Sequence, residues 1–156
     1  MAEIEIVAAT EVDAGEILTV QRAAYVSEAQ LYGTPTFSAL TETLDSVRAA
    51  IETGLVLVAR LGPRIVGAVR GICDGRYCEV TRLVVAPDMQ QRGIGAALID
   101  AVERAAPAEV RRFHLHTGDR SAANLRLYRK AGYTISHSRQ VSPSLSLVYL
   151  EKPVQA

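Results

Sequence analysis

Residues 77–105, YCEVTRLVVAPDMQQRGIGAALIDAVERA, decide the fold of this 156-residue chain. Tyr77 to Val85 is rich in apolar and β-branched residues, as a strand is, whereas Ile94, Leu98, Val102 and Ala105 recur at helical spacing. Between them stands Gln90-Gln91-Arg92-Gly93-Ile94-Gly95-Ala96, where a strand hands over to a helix. The first N–H groups of a helix have no intrahelical partners and carry partial positive charge, and glycines let a backbone approach a bulky anion closely. A phosphate or pyrophosphate suits such a loop, and Arg92 adds a cation. Two nucleotide loops are excluded: a dinucleotide fingerprint needs a small residue where Leu98 stands, and a Walker-type loop needs Lys followed by Ser or Thr where Ala96-Ala97 stands.

Working outward, Asp74-Gly75 reads as a two-residue type I′ turn that pairs 77–85 antiparallel with Ile65 to Cys73. Gly62-Pro63-Arg64 turns that strand back on residues 55–61, which makes a three-strand meander. Upstream lie the alternating strand Ile4-Glu5-Ile6-Val7, a helix with Asp13 as its cap, and a second helix from Leu44 to Thr53 with Thr43 as cap and Gly54 as stop. Downstream, Pro107 ends the central helix, Phe113-His114-Leu115-His116 reads as a strand, and Ser121 caps a helix that Gly132 stops. Tyr133 to Gln140 and Leu145 to Glu151 alternate like two closing strands. The order is α/β with a mixed sheet, because the meander is antiparallel while a helical crossover from the fourth strand to the fifth implies parallel pairing.

Apolar residues make up 49% and charged residues 22%, proportions of a globular chain of one domain spanning 1–156. Lys plus Arg and Asp plus Glu are 17 each, so the zero net charge favours neither nucleic acid nor an anionic membrane. No apolar run approaches the ~18 residues of a membrane span, and Glu3 and Glu5 stand where a secretory signal carries Lys or Arg, so the expected location is the cytoplasm. Cys73 and Cys78 lack metal-ligand spacing and are expected as small residues packed in adjacent strands and kept reduced.

Gln90, Gly93 and Gly95 match the Gln/Arg-x-x-Gly-x-Gly/Ala signature of the GNAT superfamily of acyl-coenzyme A N-acyltransferases, which this sequence resembles. Asn124-Leu125-Arg126-Leu127-Tyr128-Arg129-Lys130-Ala131-Gly132-Tyr133 looks like the second signature of that family, and the element order agrees over nearly the whole chain. The resemblance implies a mostly antiparallel seven-stranded sheet with about four flanking helices, splayed between its fourth and fifth strands to hold coenzyme A. It implies acetyl-CoA as cosubstrate, no metal, and acetyl transfer to an amine by direct attack in a ternary complex. The backbone of Leu83, Val84 and Val85 would bond the pantetheine arm, and Gln91, Arg92, Gly93, Ile94, Gly95 and Ala96 would cradle the pyrophosphate. Asn124 and Tyr128, four apart on one helical face, would point at the same cleft, with Tyr128 giving its proton to the departing thiolate.

Glu79, four residues before Leu83, is the candidate general base; a solvent-facing glutamate at a strand start is the competing reading. His114 and His116 share one strand face but have no third ligand for a metal, and read as strand packing or a cleft edge. Arg126, Arg129 and Lys130 form a basic cluster within reach of a 3′-phosphate or a solvated face. In the family the acceptor wall comes from the first two helices and the last strand pair, which makes Tyr25, Glu28, Tyr32, Phe37 and Tyr149 candidates. Between Arg22 and Gly54 the acids Glu28, Glu42, Asp45 and Glu52 face only Arg22 and Arg48, a balance that favours a cationic amine. A small-molecule amine is the expected acceptor, a protein lysine or N-terminus the second, and a non-catalytic acyl-CoA sensor the third reading. Family members are often dimers, and Leu145-Ser146-Leu147-Val148 suits either an interface or the sheet.

Overall fold

The computed structural model describes residues 3–154. Its strands are β1 (Ile4–Ala8), β2 (Leu55–Leu61), β3 (Arg64–Asp74), β4 (Tyr77–Val85), β5 (Arg112–Gly118), β6 (Thr134–Ser142) and β7 (Leu145–Pro153). Its helices are α1 (Ala14–Tyr32), the single turn α2 (Ser38–Thr41), α3 (Leu44–Thr53), α4 (Ile94–Ala105) and α5 (Ala122–Lys130). The strands form one seven-stranded sheet of order β1-β2-β3-β4-β5-β7-β6, antiparallel except where β4 meets β5. The mixed sheet expected from the sequence is thus present, with β7 inserted between β5 and β6.

Val56 to Ala59 and Ile65 to Val69 (Gly67 included) are unbroken buried runs, the mark of strands covered on both faces. α1 packs on β3 and β4 together with α2 and α3, and α4 lies across β2, β3 and β4. Glycine sets that second contact: a Cβ on Gly67 would stand 3.0 Å from the Leu98 side chain and 3.3 Å from Ile94. Ile94, Leu98, Ile99 and Val102 are buried against the sheet. Thr43 caps α3 as expected, its Oγ1 accepting from the Ser46 N–H at 3.1 Å. No helix among the described residues is long and apolar enough to cross a membrane.

Four local expectations are corrected. The β3–β4 turn is Gly75-Arg76 rather than Asp74-Gly75, because Asp74 pairs with Tyr77; only Gly75 has positive φ, at 60°, which places glycine first as a type II′ turn requires. That register sets Cys73 opposite Cys78, Cα atoms 3.9 Å apart, and the two are joined as a disulfide rather than kept reduced. Directly opposed residues of a tight hairpin bring their side chains closest, which the sequence spacing alone does not reveal. Asp13 does not cap α1; its carboxylate accepts from the Thr10 N–H at 2.9 Å and from Arg60 Nη2 at 2.5 Å. Ser121 does not cap α5 either, because its Oγ donates to Glu28 Oε2 at 2.6 Å and ties α5 to α1.

Candidate active site

β4 and β5 pair only through Tyr77↔Arg112, Cys78↔Phe113 and Glu79↔His114. Beyond that point β4 continues for six residues with no β5 partner, so its inner edge from Val80 to Val85 carries backbone groups that no strand takes up. On the other edge Val84 still pairs with Ala68 and Val85 with Gly67, while Arg82 and Leu83 together oppose the single residue Val69. This is a β-bulge, and Arg82 sits in it with φ at 50°, in the left-handed region that a branched or long side chain rarely adopts.

Past β4 the chain turns through Pro87–Met89 into the glycine-bearing loop. Gln91 and Gly93 both have positive φ, at 63° and 82°, which bends the loop onto the start of α4. The first intrahelical bond of α4 runs from the Ala97 N–H to the Gly93 carbonyl, leaving the N–H groups of Ile94, Gly95 and Ala96 as the free donors of the first turn. Gln90 holds the loop to the strand by donating Nε2 to the Val85 carbonyl at 3.3 Å. Gly95 lies close under α5, since a Cβ there would stand 3.2 Å from the end of the Leu127 side chain.

The open edge, the loop and helices α1, α2 and α5 surround one cavity of ≈ 790 Å³. It gathers Leu83, Val84 and Val85 from β4, Gln90, Gln91, Gly93, Ile94, Gly95 and Ala96 from the loop, Asn124 and Tyr128 from α5, and Tyr25, Glu28, Tyr32 and Phe37 from the first helices and their connection. Four predicted residues lie elsewhere. Arg92 and Arg129 are exposed and outside the lining, Glu79 is absent from it, and Tyr149 stacks on His137 with ring centroids 4.4 Å apart. What Glu79 meets instead is His116, which does line the cavity: its Oε2 lies 3.8 Å from His116 Nδ1.

Tyr128 is only 7% exposed, and burial pushes its phenol well above the usual tyrosine range, with Tyr25 and Glu28 nearby adding to the effect. It therefore stands as a protonated group in the cavity lining. Burial also raises the Tyr25 phenol; Arg82 pulls against that, Glu28 adds to it, and Arg70 pulls against it. Asn124 Nδ2 donates to Thr117 Oγ1 at 3.4 Å, which links α5 to the end of β5. Tyr32 closes the far end: its hydroxyl accepts from the Arg120 N–H at 2.7 Å, Arg120 lies over its ring at 4.6 Å, and a Cβ on Gly118 would overlap the phenol.

Behind the wall lies a carboxylate that sequence reading did not single out. The side chain of Glu42 is 6% exposed and accepts from Arg70 Nη1 and Nη2 at 3.0 and 3.1 Å, Gln21 Nε2 at 3.0 Å, Ser46 Oγ at 2.7 Å and Arg82 Nε at 3.3 Å. Burial acts to raise its pKa, but the hydrogen bonds from Arg70, Gln21 and Ser46 and the charge of Arg70 outweigh that and hold it at about 2. No local signal marks this hub, because Arg70 and Arg82 lie 28 and 40 residues away in sequence. His116, Ser38, Thr117 and Leu147 also line the cavity without having been expected there as ligands. Among the described residues, no group of three or more His, Cys, Asp or Glu is arranged to hold a metal ion.

The family model described as Acetyltransferase (GNAT) domain matches residues 52–135, more than half of the chain. This protein belongs to the GNAT acetyltransferase family. The matched segment runs from the end of α3 into β6 and so contains the bulge, the loop, α4, α5 and Tyr128. The GNAT chain is also 28% identical over 135 residues to UPF0157 protein YqkA of Bacillus subtilis, a match that covers 86% of this chain and 38% of that protein. It therefore spans under two fifths of the length of that curated relative.

Among solved structures, it is similar to a GNAT-family acetyltransferase from Streptococcus pneumoniae, with a TM-score of 0.79 and 19% identity over 97% of this chain and 100% of that one. It is likewise similar to YncA from Salmonella typhimurium, a structure with its cofactor acetyl-CoA, at a TM-score of 0.76 and 19% identity over 99% of this chain and 96% of that one. At these identities the structural likeness is one of fold.

Proposed function

We propose that this chain transfers an acetyl group from acetyl-CoA to the primary amine of a small molecule, with both substrates bound together, and that residues 1–156 act as one N-acetyltransferase domain. One observation carries the reading: the open edge of β4 leads directly to the free N–H groups of α4, and both border the cavity that the protonated Tyr128 also lines. An extended arm can add to that edge as a strand would, through Leu83, Val84 and Val85. A pyrophosphate fits the donors of Ile94, Gly95 and Ala96, with Gln91 and Gly93 shaping the bend and Gln90 fixing the loop to β4. Arg126 and Lys130 at the cavity margin suit a further phosphate.

Bound acetyl-CoA supplies an acyl thioester, whose C–S bond breaks as the amine nitrogen takes the acyl carbon. The residues of this chain then have three tasks. The bulged backbone of β4 offers N–H donors to a developing oxyanion, and fixed dipoles of this kind act most strongly where water is excluded. Tyr128 holds a proton at its phenol oxygen for the departing sulfur. His116 faces the cavity and takes the proton that the amine loses, with Glu79 behind it stabilising the imidazolium. Glu79, expected as the base itself, thus acts through His116 in this reading.

Calorimetric titration with acetyl-CoA, paired with thiol release over a panel of amines, tests the proposal. Tyr128→Phe should bind acetyl-CoA within about twofold of the parent protein while kcat falls by about 10²- to 10⁴-fold, the range for a lost general acid. A variant that loses no turnover would leave Tyr128 without its assigned role. Failure of the parent protein to bind acetyl-CoA would overturn the whole reading.

A further inference from the structure

The charge count along α1 to α3 favours a cationic acceptor, but the folded chain redistributes those charges. Asp45 and Arg48 form an exposed pair on α3, and neither they nor Glu52 border the cavity. Glu42 is neutralised by Arg70, which grips both of its oxygens with a two-pronged contact at 3.0 and 3.1 Å. Arg82 reaches the same carboxylate only through Nε at 3.3 Å and touches Ser38 Oγ through Nη2 at 3.4 Å, both long contacts. Its Nη1 donates to no acceptor among the described residues, and it is not among the buried polar atoms. Two guanidinium groups thus share one carboxylate, and Arg82, the one that borders the cavity, retains uncompensated charge there.

The opposite sign borders the same cavity. Glu28 on α1 keeps one oxygen for Ser121 and has no partner for the other among the described residues. Tyr25, one turn before Glu28, lines this cavity together with Glu28 and Arg82. A cavity bordered by both a cation and an anion matches a ligand that is itself zwitterionic. The planar guanidinium fork is suited to a carboxylate, and Arg82 occupies the bulge with its backbone in the left-handed region, at a conformational cost.

Resting on the acetyl-transfer reading above, we propose that the acceptor is an amine that also carries a carboxylate, an α-amino acid or a close analogue, with Arg82 binding the carboxylate and Glu28 drawing in the amino end. The test compares kcat/KM for leucine, phenylalanine and methionine with kcat/KM for their amides and their decarboxylated amines, after acetyl-CoA binding has been measured by calorimetry. The amino acids should be preferred by about 10- to 100-fold, as loss of charge-assisted hydrogen bonds to a guanidinium implies. In Arg82→Gln the preference should collapse to within about threefold of unity, through KM, while the affinity for acetyl-CoA holds. The wild-type comparison stands even if that variant fails to fold. Acetyl-CoA binding with equal or better transfer to the amides and plain amines, or with transfer to none of the amino acids, overturns the inference and leaves the acetyl-transfer reading intact. Absence of acetyl-CoA binding removes both.

Discussion

Replacing Glu42 by glutamine removes the charge around which the first helices and the bulged strand are joined. The glutamate connects Gln21 of α1, Ser46 of α3, Arg70 of β3 and Arg82 of β4, and its side chain is 6% exposed. Glutamine keeps the volume but leaves Arg70 facing an amide. Two routes give the size of the effect. Removing one partner of a buried ion pair typically costs about 3–5 kcal/mol, because the remaining charge stays out of water. A fall in pKa from 4.5 to about 2 corresponds to about 3 kcal/mol of differential stabilisation.

The two agree, and the second adds a pH signature. Since the folded-state pKa lies below that of the unfolded chain, the stabilisation is complete above about pH 4.5 and disappears as pH falls through about 2. Urea titrations of both proteins at pH 7, 5 and 3 should show a difference of about 3 kcal/mol at pH 7, of which about 2 kcal/mol is gone by pH 3. The midpoint of thermal unfolding at pH 7 should drop by roughly 6–12 °C for a chain of this size. A difference below about 1 kcal/mol at pH 7, the value of an exposed ion pair, would refute the buried hub, as would a difference that stays constant down to pH 3.

Gly118→Ala places a methyl group on the Tyr32 phenol and should destabilise the protein by about 1–3 kcal/mol, with partial relief in the Tyr32→Phe background, where the nearest atom is removed; thermal unfolding of the two single variants and the double variant checks this. His116→Gln should lower kcat/KM by about 10²-fold or more without altering acetyl-CoA affinity, and Glu79→Gln should lower it less. If Glu79 acts through His116, the double variant should be no worse than His116→Gln alone; additive losses would show that the two residues act separately.

The strand–loop–helix segment from Tyr77 to Ala105 was legible because each of its signals is local. β-branched residues, glycines at positive φ and helical periodicity all act within a few residues of themselves, and a parallel β4–β5 pair follows once a helix must return the chain. The same holds for Gln90 to Ala96, where the free donors belong to the backbone and need only a helix start. Tyr128 and Asn124 were placed together by helical spacing alone, and the cavity received both.

What the sequence left open depended on distant partners. Asp13 and Ser121 have the composition of helix caps, yet each found a stronger acceptor or donor across the fold, Arg60 for one and Glu28 for the other. The one-residue difference in the β3–β4 turn decided that Cys73 and Cys78 face each other, because pairing register, not spacing, determines which side chains are opposed. Glu79 was singled out by its offset from Leu83, but the parallel pairing with β5 brought His116 toward its carboxylate and gave His116 the place on the cavity.

By itself, then, the sequence determined the order and type of most elements and the glycine-bearing turn at the start of α4, since these follow from local backbone preferences and apolar periodicity, whereas the open strand edge followed only from the resemblance to a known family. Only the tertiary structure decided the electrostatics of the cavity beside the first helices. A count of charges along α1 to α3 gives an excess of acids, whereas the sheet brings Arg70 and Arg82 onto Glu42 and leaves a cation on the wall. Coulomb energy depends on separation in space and on the medium between the charges, and neither is written in the linear order of the residues.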